Sequence, residues 1–568
     1  MTIKNILLGA AALLTVASPY FGIPGWTPSL ATVSFLVAVS LIGLNLIFGY
    51  CGMLALGHAA FSALSAYAAG ILFNLGLPGL VAALAGFALA VGAARIVAEI
   101  FIRLPGIYLA VGTLGFAYVI EGLARAFPSV TGGASGLLLT PPFSLTETGW
   151  YVTAVCMLAI ALASAALLVR GRMARMLKLV NRDELAAAVA GIDVVRLKVF
   201  IFTVGAAYPA AGGLVLAYYT NVISPEGGGA NTSLEYLAMV IIGGAGSVVG
   251  PLLGAVLIHW LFAVAGAAAK YELLVYGSCF LAVILFAPAG LAGLFRTFWE
   301  KVAGEARSLA TPEVVRDVAP PTAQANAPSG AGLRAENVSK RFGGLDAVRD
   351  VTLDARPGEI VALIGPNGAG KSTFFNVLSG IERPTAGTVF LDGKPVTHLG
   401  IHQRALLIGR SFQVPRLVID MTVLQNVVAR ADQLYPELSE TARLAIAKQQ
   451  LDRFGLSDLV TARVGEVAVG LHKLIDIARA AIGSPRLVLL DEPAVGLSGE
   501  ELDRLRAIIR TLKESGSAVV VVDHNVDFIT SIADRILVME SGQAIADGAV
   551  ADVLADPRVR AAYMGVLG

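Results

Sequence analysis

Gly365-Pro366-Asn367-Gly368-Ala369-Gly370-Lys371-Ser372-Thr373 decides the fold of the C-terminal part of this chain. The strand-like run Glu359-Ile360-Val361-Ala362-Leu363-Ile364 precedes it, and helical patterning begins near Lys371. A buried strand, a glycine-rich turn and a helix, in that order, make a phosphate-binding loop, because backbone N–H groups at a helix start converge on anionic oxygens. The N–H groups around Gly368 to Lys371 are placed to cradle phosphates. Lys371 is placed to neutralise the β- and γ-oxygens, and Ser372 to ligate Mg2+. ATP is the expected ligand.

Two more strand ends carry chemistry. Leu487-Val488-Leu489-Leu490 runs into Asp491-Glu492. Asp491, at a strand end, is placed to hold Mg2+ through its water shell, and Glu492 to polarise the attacking water. The run Ala518–Val522 ends at Asp523-His524, where an imidazole reaches a γ-phosphate; Asp523 itself reads equally well as a loop residue. Strand-like and helix-like patterns alternate from Leu333 to Gly568, which predicts an α/β ATPase domain over 333–568.

Ahead of that domain the chemistry changes. The 568 residues are 56% hydrophobic and only 15% charged, and no Asp, Glu, Lys or Arg occurs between Lys4 and Arg95. The net charge of +1 therefore averages two unlike halves. A bilayer core takes about 20 apolar residues per helix. Candidate spans are 6–23, 28–48, 53–73, 78–97, 106–126, 150–169, 199–219 and 272–290. Segment 236–266 is also apolar but is broken at Gly243-Gly244-Ala245-Gly246-Ser247 and Gly250-Pro251. The expectation is a polytopic α-helical membrane domain of about eight spans plus a broken hairpin segment. Met1–Ala17 has the layout of a secretory signal, but the apolar spans that follow at once favour a retained first helix.

Basic residues set orientation. Arg170, Arg172, Arg175, Lys178, Arg182, Arg196 and Lys198 form the densest cluster, so the 170–198 loop is expected inside the cell. A single crossing at 236–266 would put the ATPase outside, away from ATP, so that segment is expected to double back. Within the 170–198 loop, Asn181 to Gly191 reads as one short helix ending at a glycine. Glu121 and Arg125, four apart on a helix, are expected to pair. His58, in an apolar setting, is expected to be a packing residue, as are Cys51, Cys156 and Cys279, which lack metal or redox spacing. Gly250-x-x-x-Gly254 predicts a close helix approach. No long basic run or aromatic RNA motif appears, so nucleic acid is not an expected partner, whereas membrane lipid is. Residues 300–332, rich in Pro, Ala, Thr and Ser, read as a flexible tether between a membrane domain at 1–299 and the ATPase. A nucleotide engine tethered to a lipid-soluble body implies ATP-driven movement across a membrane.

The C-terminal half resembles the ATP-binding cassette (ABC) family over nearly its whole length. The resemblance implies that Phe342, in Lys340-Arg341-Phe342-Gly343, stacks on adenine. It also implies that Gln413 senses Mg2+ and the membrane partner, and that His524 is the switch histidine. One motif departs. The family's signature loop reads Leu-Ser-(small or aromatic)-Gly-Gln, and the aligned stretch here is Val467-Ala468-Val469-Gly470-Leu471, followed by the usual Ile475-Asp476-Ile477-Ala478-Arg479-Ala480. In this family each ATP is sandwiched between one subunit's phosphate loop and the other's signature loop. Loss of the serine hydroxyl at Ala468, with Gly470 retained, implies a weakened site and a second ATPase subunit with an intact signature.

The membrane half resembles the second permease of branched-chain amino acid importers, through Leu44–Phe61, Gly106-Ile107-Tyr108, Thr131-Gly132-Gly133 and Val240–Ser247. The ATPase half, with Asp556-Pro557-Arg558-Val559, resembles the first ATPase of the same system, so the chain looks like a fusion of two subunits. The resemblance implies a second permease subunit, an extracytoplasmic solute-binding protein, a bacterial inner-membrane location, and a pathway between the permeases near the breaks at 131–136 and 243–250. It also implies that Glu184 and Gly191 belong to the cytoplasmic loop that couples to the ATPase. Two other readings are an exporter half-transporter and an ATP-gated regulator or channel. More than six spans and short inner loops speak against the first, and Glu492 with His524 against the second.

Overall fold

The structure, a computed structural model, describes residues 18–104, 106–265, 272–294 and 332–564. The expected first span (6–23) lies mostly outside these residues, and the tether (300–332) lies outside them but for its last residue. The chain divides into two compact units, Met1–Leu177 with Val195–Leu309, and Lys178–Val194 with Ala310–Gly568.

In chain order the helices before the cassette are α1 (Pro28–Asn45), α2 (Ala59–Asn74), α3 (Gly79–Phe101), α4 (Gly106–Ala126), α5 (Glu147–Leu168), α6 (Gly171–Arg182), α7 (Glu184–Val189), α8 (Val194–Thr220), α9 (Ala230–Gly243), α10 (Gly250–Ala265) and α11 (Glu272–Phe286). Among the described residues, α3, α4, α5, α8 and the stretch Pro28–Tyr50 are long and apolar enough to cross a membrane. Thr27 caps α1 by accepting from Leu30 N, and Pro28 supplies a preset first turn. The helix is hydrophobic on every side and is nearly all buried, whereas α3, α4 and α5 leave most of their apolar surface facing outward, as lipid-facing helices do.

The expected span 53–73 becomes helical only at Ala59. Residues 51–58 instead thread past α4, where Thr113 Oγ1 accepts from Leu56 N at 3.0 Å and Gly57 lies so close that a Cβ would strike the Thr113 carbonyl. Ser233 Oγ then accepts from Ala59 N at 3.1 Å and starts α2. Hydropathy does not separate an apolar helix from an apolar extended strand. His58 is buried with Nε2 3.2 Å from the Ser40 carbonyl, a packing role. Arg125 pairs with Glu121 at 3.0 Å and also with the distant Glu226 at 3.1 Å.

Segment 236–266 does double back. Helices α9 and α10 pack as a hairpin around the turn 244–249, with Gly243, Gly250 and Gly254 at the contact, where any side chain would meet backbone. Asn45, buried at the end of α1, staples the turn: its Nδ2 donates to Ser247 O and its Oδ1 accepts from Gly246 N, both at 2.8 Å. Immediately after Asn45, α1 widens into a single π-turn, Leu46–Tyr50. Replacing Asn45 by Leu removes two hydrogen bonds to a part-buried turn, each worth about 0.5–1.5 kcal/mol. The expected result is about 1–3 kcal/mol of lost stability, read as a lower unfolding temperature of the detergent-solubilised chain.

The 181–191 segment is not one helix. Asp183 leaves the helical region (φ −158) and caps α7 by accepting from Ala186 N at 2.9 Å, which separates α6 from α7. Gly191, at φ +98, closes α7 as expected of a terminal glycine.

The cassette is built from β1 (Leu333–Phe342), β2 (Leu345–Ala355), β3 (Ile360–Ile364), α12 (Lys371–Ser379), β4 (Ala386–Leu391), β5 (Ile408–Arg410), α13 (Val423–Leu434), α14 (Val469–Ala480), β6 (Leu487–Asp491), α15 (Gly499–Glu514), β7 (Ala518–Val522), β8 (Arg535–Glu540) and β9 (Gln543–Ala549). A six-stranded sheet has the order β9-β8-β3-β7-β6-β5, parallel except for β9. A smaller antiparallel sheet runs β2-β1-β4 and ends at Lys394–Pro395. The central strands are apolar at every position because both faces are covered. Ile360, Ala362 and Ile364 enter one core with α13, α14 and α15, while Val361 and Leu363 enter the other with α12 and the small sheet. The C-terminal ends of β3, β6 and β7 therefore lie side by side, and each delivers one piece of the candidate site.

Candidate active site

The loop 365–370 joins β3 to α12. Gly370 caps the helix at φ +92, where a Cβ would run into the Ala347 carbonyl, so only glycine fits. Lys371 is almost fully buried, and its Nζ donates to Gly365 O at 2.6 Å and Pro366 O at 2.9 Å, which folds the ammonium into the loop. Burial lowers its pKa, and the nearby Glu492 carboxylate partly restores it. Ser372 and Thr373 follow in the first turn of α12, and Phe342 ends β1 largely exposed, with Lys340 Nζ 4.7 Å from its ring.

The ends of β6 and β7 meet at one carboxylate. Glu492 adopts the left-handed region (φ 44), which is strained for a non-glycine residue, and its N–H donates to Val522 O at 2.7 Å. Gln413 Nε2 donates to Glu492 Oε2 at 2.6 Å, and His524 Nε2 lies 3.0 Å from Oε1. The three residues expected to be catalytic are thus in contact, although 79 positions separate Gln413 from Glu492 and 32 separate Glu492 from His524. Asp523 is buried and ties the loops together, accepting from Ala494 N and Asn525 N, both at 2.9 Å.

Several functional neighbours escaped the sequence reading. Lys473, on α14, donates to Glu492 O at 2.6 Å and so helps hold the strained peptide. Arg410, at the end of β5, is buried between Phe375 and Phe412 and lies 3.6 Å from Asp491. Burial pushes the Arg410 guanidinium down to about 10 and holds the Asp491 carboxyl above its usual range, with Arg410 pulling it partly back. On α14, Asp476 Oδ2 accepts from Phe412 N at 3.0 Å and Arg479 donates to Arg416 O at 2.9 Å, so one helix grips both ends of the Gln413 loop. The signal for Arg410 was its place two residues before Phe412; Asp476 and Arg479 lie in the Ile475–Ala480 pattern, and Lys473 carries no local signal.

The signature stretch starts α14. Ala468 is its N-cap with no side-chain hydrogen bond, and Val469 is 78% exposed. Glu501 stands against Gly470, so close that a Cβ there would strike its carboxylate. Hydrogen bonds from Ser498 N and Oγ, both 2.8 Å, hold Glu501 in place and lower its pKa. An anion arriving at this helix start meets no hydroxyl and a fixed negative charge. In the same unit, α7 lies along the Gln413 loop: Arg416 pairs with Asp183, Arg182 with Asp420 at 2.7 Å, and His402 lies 3.5 Å from Asp193. Leu179, Ala186, Val414 and Leu417 line a cavity of about 370 Å³ there. Glu184 opens α7, and Gly191 packs near Leu406 and Gln433.

The family model described as the permease component of the branched-chain amino acid transport system matches residues 27–287, the ABC transporter model matches 348–495, and the branched-chain amino acid ATP-binding cassette transporter model matches 545–566. The high-affinity branched-chain amino acid transport ATP-binding protein BraF of Pseudomonas aeruginosa is 35% identical over 248 residues, covering 41% of this chain and 97% of that protein. LivG of Escherichia coli, described in the same words, is 34% identical with the same coverage. A solved ATP-binding cassette of an ABC transporter, in its ADP conformation, is 30% identical, covers 41% of this chain and 98% of that chain, and has a TM-score of 0.38. The cassette binds ATP and couples its hydrolysis to transport. This chain belongs to the ATP-binding cassette transporters of branched-chain amino acids, and it joins a permease component and an ATP-binding component in one polypeptide.

Proposed function

We propose that the chain is the fused permease–ATPase subunit of an importer that carries branched-chain amino acids, or related small polar or carboxylate solutes, across the bacterial inner membrane. Residues 1–299 are the permease, 300–332 the connecting segment and 333–568 the cytoplasmic cassette. A second permease, a second ATPase and an extracytoplasmic solute-binding protein complete the assembly. The observation that carries this reading is the Glu492 carboxylate, held jointly by Gln413 and His524 in a chain that also bears a permease.

In the catalytic cycle Phe342 stacks on the adenine, and the N–H groups of Gly365 and of Asn367 to Thr373, Ala369 included, surround the phosphates with Lys371 among them. Glu492 orients water and takes its proton, while His524 and Gln413 fix that carboxylate. The Ser372 hydroxyl, the Asp491 carboxylate and the free amide oxygen of Gln413 are hard oxygen donors. Among the described residues, no group of three His, Cys, Asp or Glu side chains forms a cage of its own. That set suits Mg2+, which keeps water and phosphate oxygens in its shell. A cation there would also offset the burial that raises the Asp491 pKa. Bound metal neutralises charge developing on the phosphates.

The signature face calls for an unlike partner. A charge-assisted hydrogen bond such as the one missing at Ala468 is worth about 1.5–3 kcal/mol. That is on the order of ten- to a hundredfold in rate if it tightens in the transition state. Glu501 adds repulsion at the same helix start. Purified full-length chain alone is therefore expected to hydrolyse ATP at least about tenfold more slowly than the assembly with an intact-signature ATPase, and Ala468→Ser to recover part of the difference. Phosphate release measures both. Equal rates for the lone chain and the assembly reject the asymmetric reading. Uptake of radiolabelled leucine by proteoliposomes holding the full assembly and ATP tests import; no uptake, or efflux, rejects it.

A further inference from the structure

Arg430, near the middle of α13, is 1% exposed and makes three hydrogen bonds, all to backbone carbonyls. Nη1 reaches Val189 O at 3.3 Å, Nη2 reaches Ile408 O at 3.1 Å and Nε reaches Ile482 O at 3.4 Å. None of these acceptors is a carboxylate, and Arg479 adds a like charge nearby. Burial, reinforced by Arg479, pushes the guanidinium down to about 10, so it remains charged at neutral pH.

The acceptors explain how a buried charge is tolerated. Val189 is the last residue of α7. The carbonyls of Ala186, Ala187 and Ala188 are taken by the N–H groups of Ala190, Ile192 and Gly191, which leaves the Val189 carbonyl for Arg430. Ile482 lies two residues past the end of α14. Carbonyls at helix C-termini carry the negative end of the peptide dipoles, and a cation there is favoured. Ile408 begins β5, five residues before Gln413. One guanidinium thus joins the end of α7, the end of the signature helix and the strand that leads to the catalytic glutamine. The ion pair at the rim between Arg182 and Asp420, with side chains 55% and 64% exposed, is open to water and contributes little. The buried tie is the one that α7 cannot leave without stranding a charge.

We propose that Arg430 is a positioning residue that transmits displacement of α7 to the Gln413 loop and to α14 together, and so sets how tightly transport is geared to hydrolysis. The proposal rests on the reading of the 178–194 segment as the coupling element. The test uses the full chain with its partner subunits in proteoliposomes, with radiolabelled leucine as probe, and compares Arg430→Met and Arg430→Lys with wild type. Coupling energies of the usual size predict that Arg430→Met lowers leucine moved per ATP hydrolysed at least about tenfold. The KM for ATP stays within about twofold, since no phosphate-loop contact is touched, and basal hydrolysis falls much less than uptake. Arg430→Lys, which keeps the charge and part of the donor set, falls between the two, with the ratio lowered about threefold. A fall of uptake and basal hydrolysis in equal proportion, or an unchanged ratio, overturns the proposal. If Arg430→Met does not fold, Arg430→Lys alone decides: a ratio lowered about threefold supports it and an unaltered one overturns it. Ala186→Trp, which crowds the α7 groove without touching Arg430, separates the two layers. An unchanged ratio there with a lowered ratio in Arg430→Met removes α7 as the coupling element.

Discussion

Replacing Glu492 by Gln lowers ATP turnover of the assembled transporter at least about a hundredfold, because general-base catalysis of this kind contributes about 10²–10⁴. Leucine uptake is abolished with it. The substitution keeps the shape of the side chain, the N–H bond to Val522 O and the carbonyl held by Lys473, so the left-handed turn at 492 survives. The phosphate loop is untouched, and nucleotide binding persists. The expected outcome is retained, unhydrolysed ATP on an intact assembly, read by nucleotide retention on gel filtration alongside phosphate release. Uptake at the wild-type rate removes Glu492 from its role.

Lys371→Ala strikes binding instead. Its ammonium already sits inside the loop on the Gly365 and Pro366 carbonyls, and in the complex it exchanges them for phosphate oxygens. Hydrogen bonds to charged groups are worth about 1.5–3 kcal/mol each, so losing one or two weakens ATP affinity by about a hundredfold. Titration with a fluorescent ATP analogue measures this, and circular dichroism of the same samples confirms that the chain is folded. Affinity within a few-fold of wild type would show that the backbone cradle alone carries binding.

The phosphate loop, the acidic pair after β6 and the histidine after β7 were legible in the sequence because each is a short pattern at the end of an apolar strand. The hairpin at 236–266 was legible because the direction of the chain required it. What stayed hidden was long-range. Lys473 meets Glu492 across α14, Glu226 reaches Arg125 over 101 residues, and Asn45 reaches Ser247 over 202 residues. None of these contacts leaves a periodicity. The late start of α2 stayed hidden for another reason: the Gly57–Thr113 approach is a backbone contact, and hydropathy reads only side chains. Asp183 was misread for want of context, since an aspartate inside a helical pattern both interrupts that helix and caps the next.

The Asn45 staple also bears on how the polypeptide enters the bilayer during synthesis. Helix α9 holds only 14 residues, fewer than the roughly 20 that a free-standing crossing takes. The turn between α9 and α10 has two peptide groups that find partners on α1 and not in lipid. As the ribosome releases this pair, its polar elbow meets a helix made about two hundred residues earlier, so the late hairpin settles against the early helix α1.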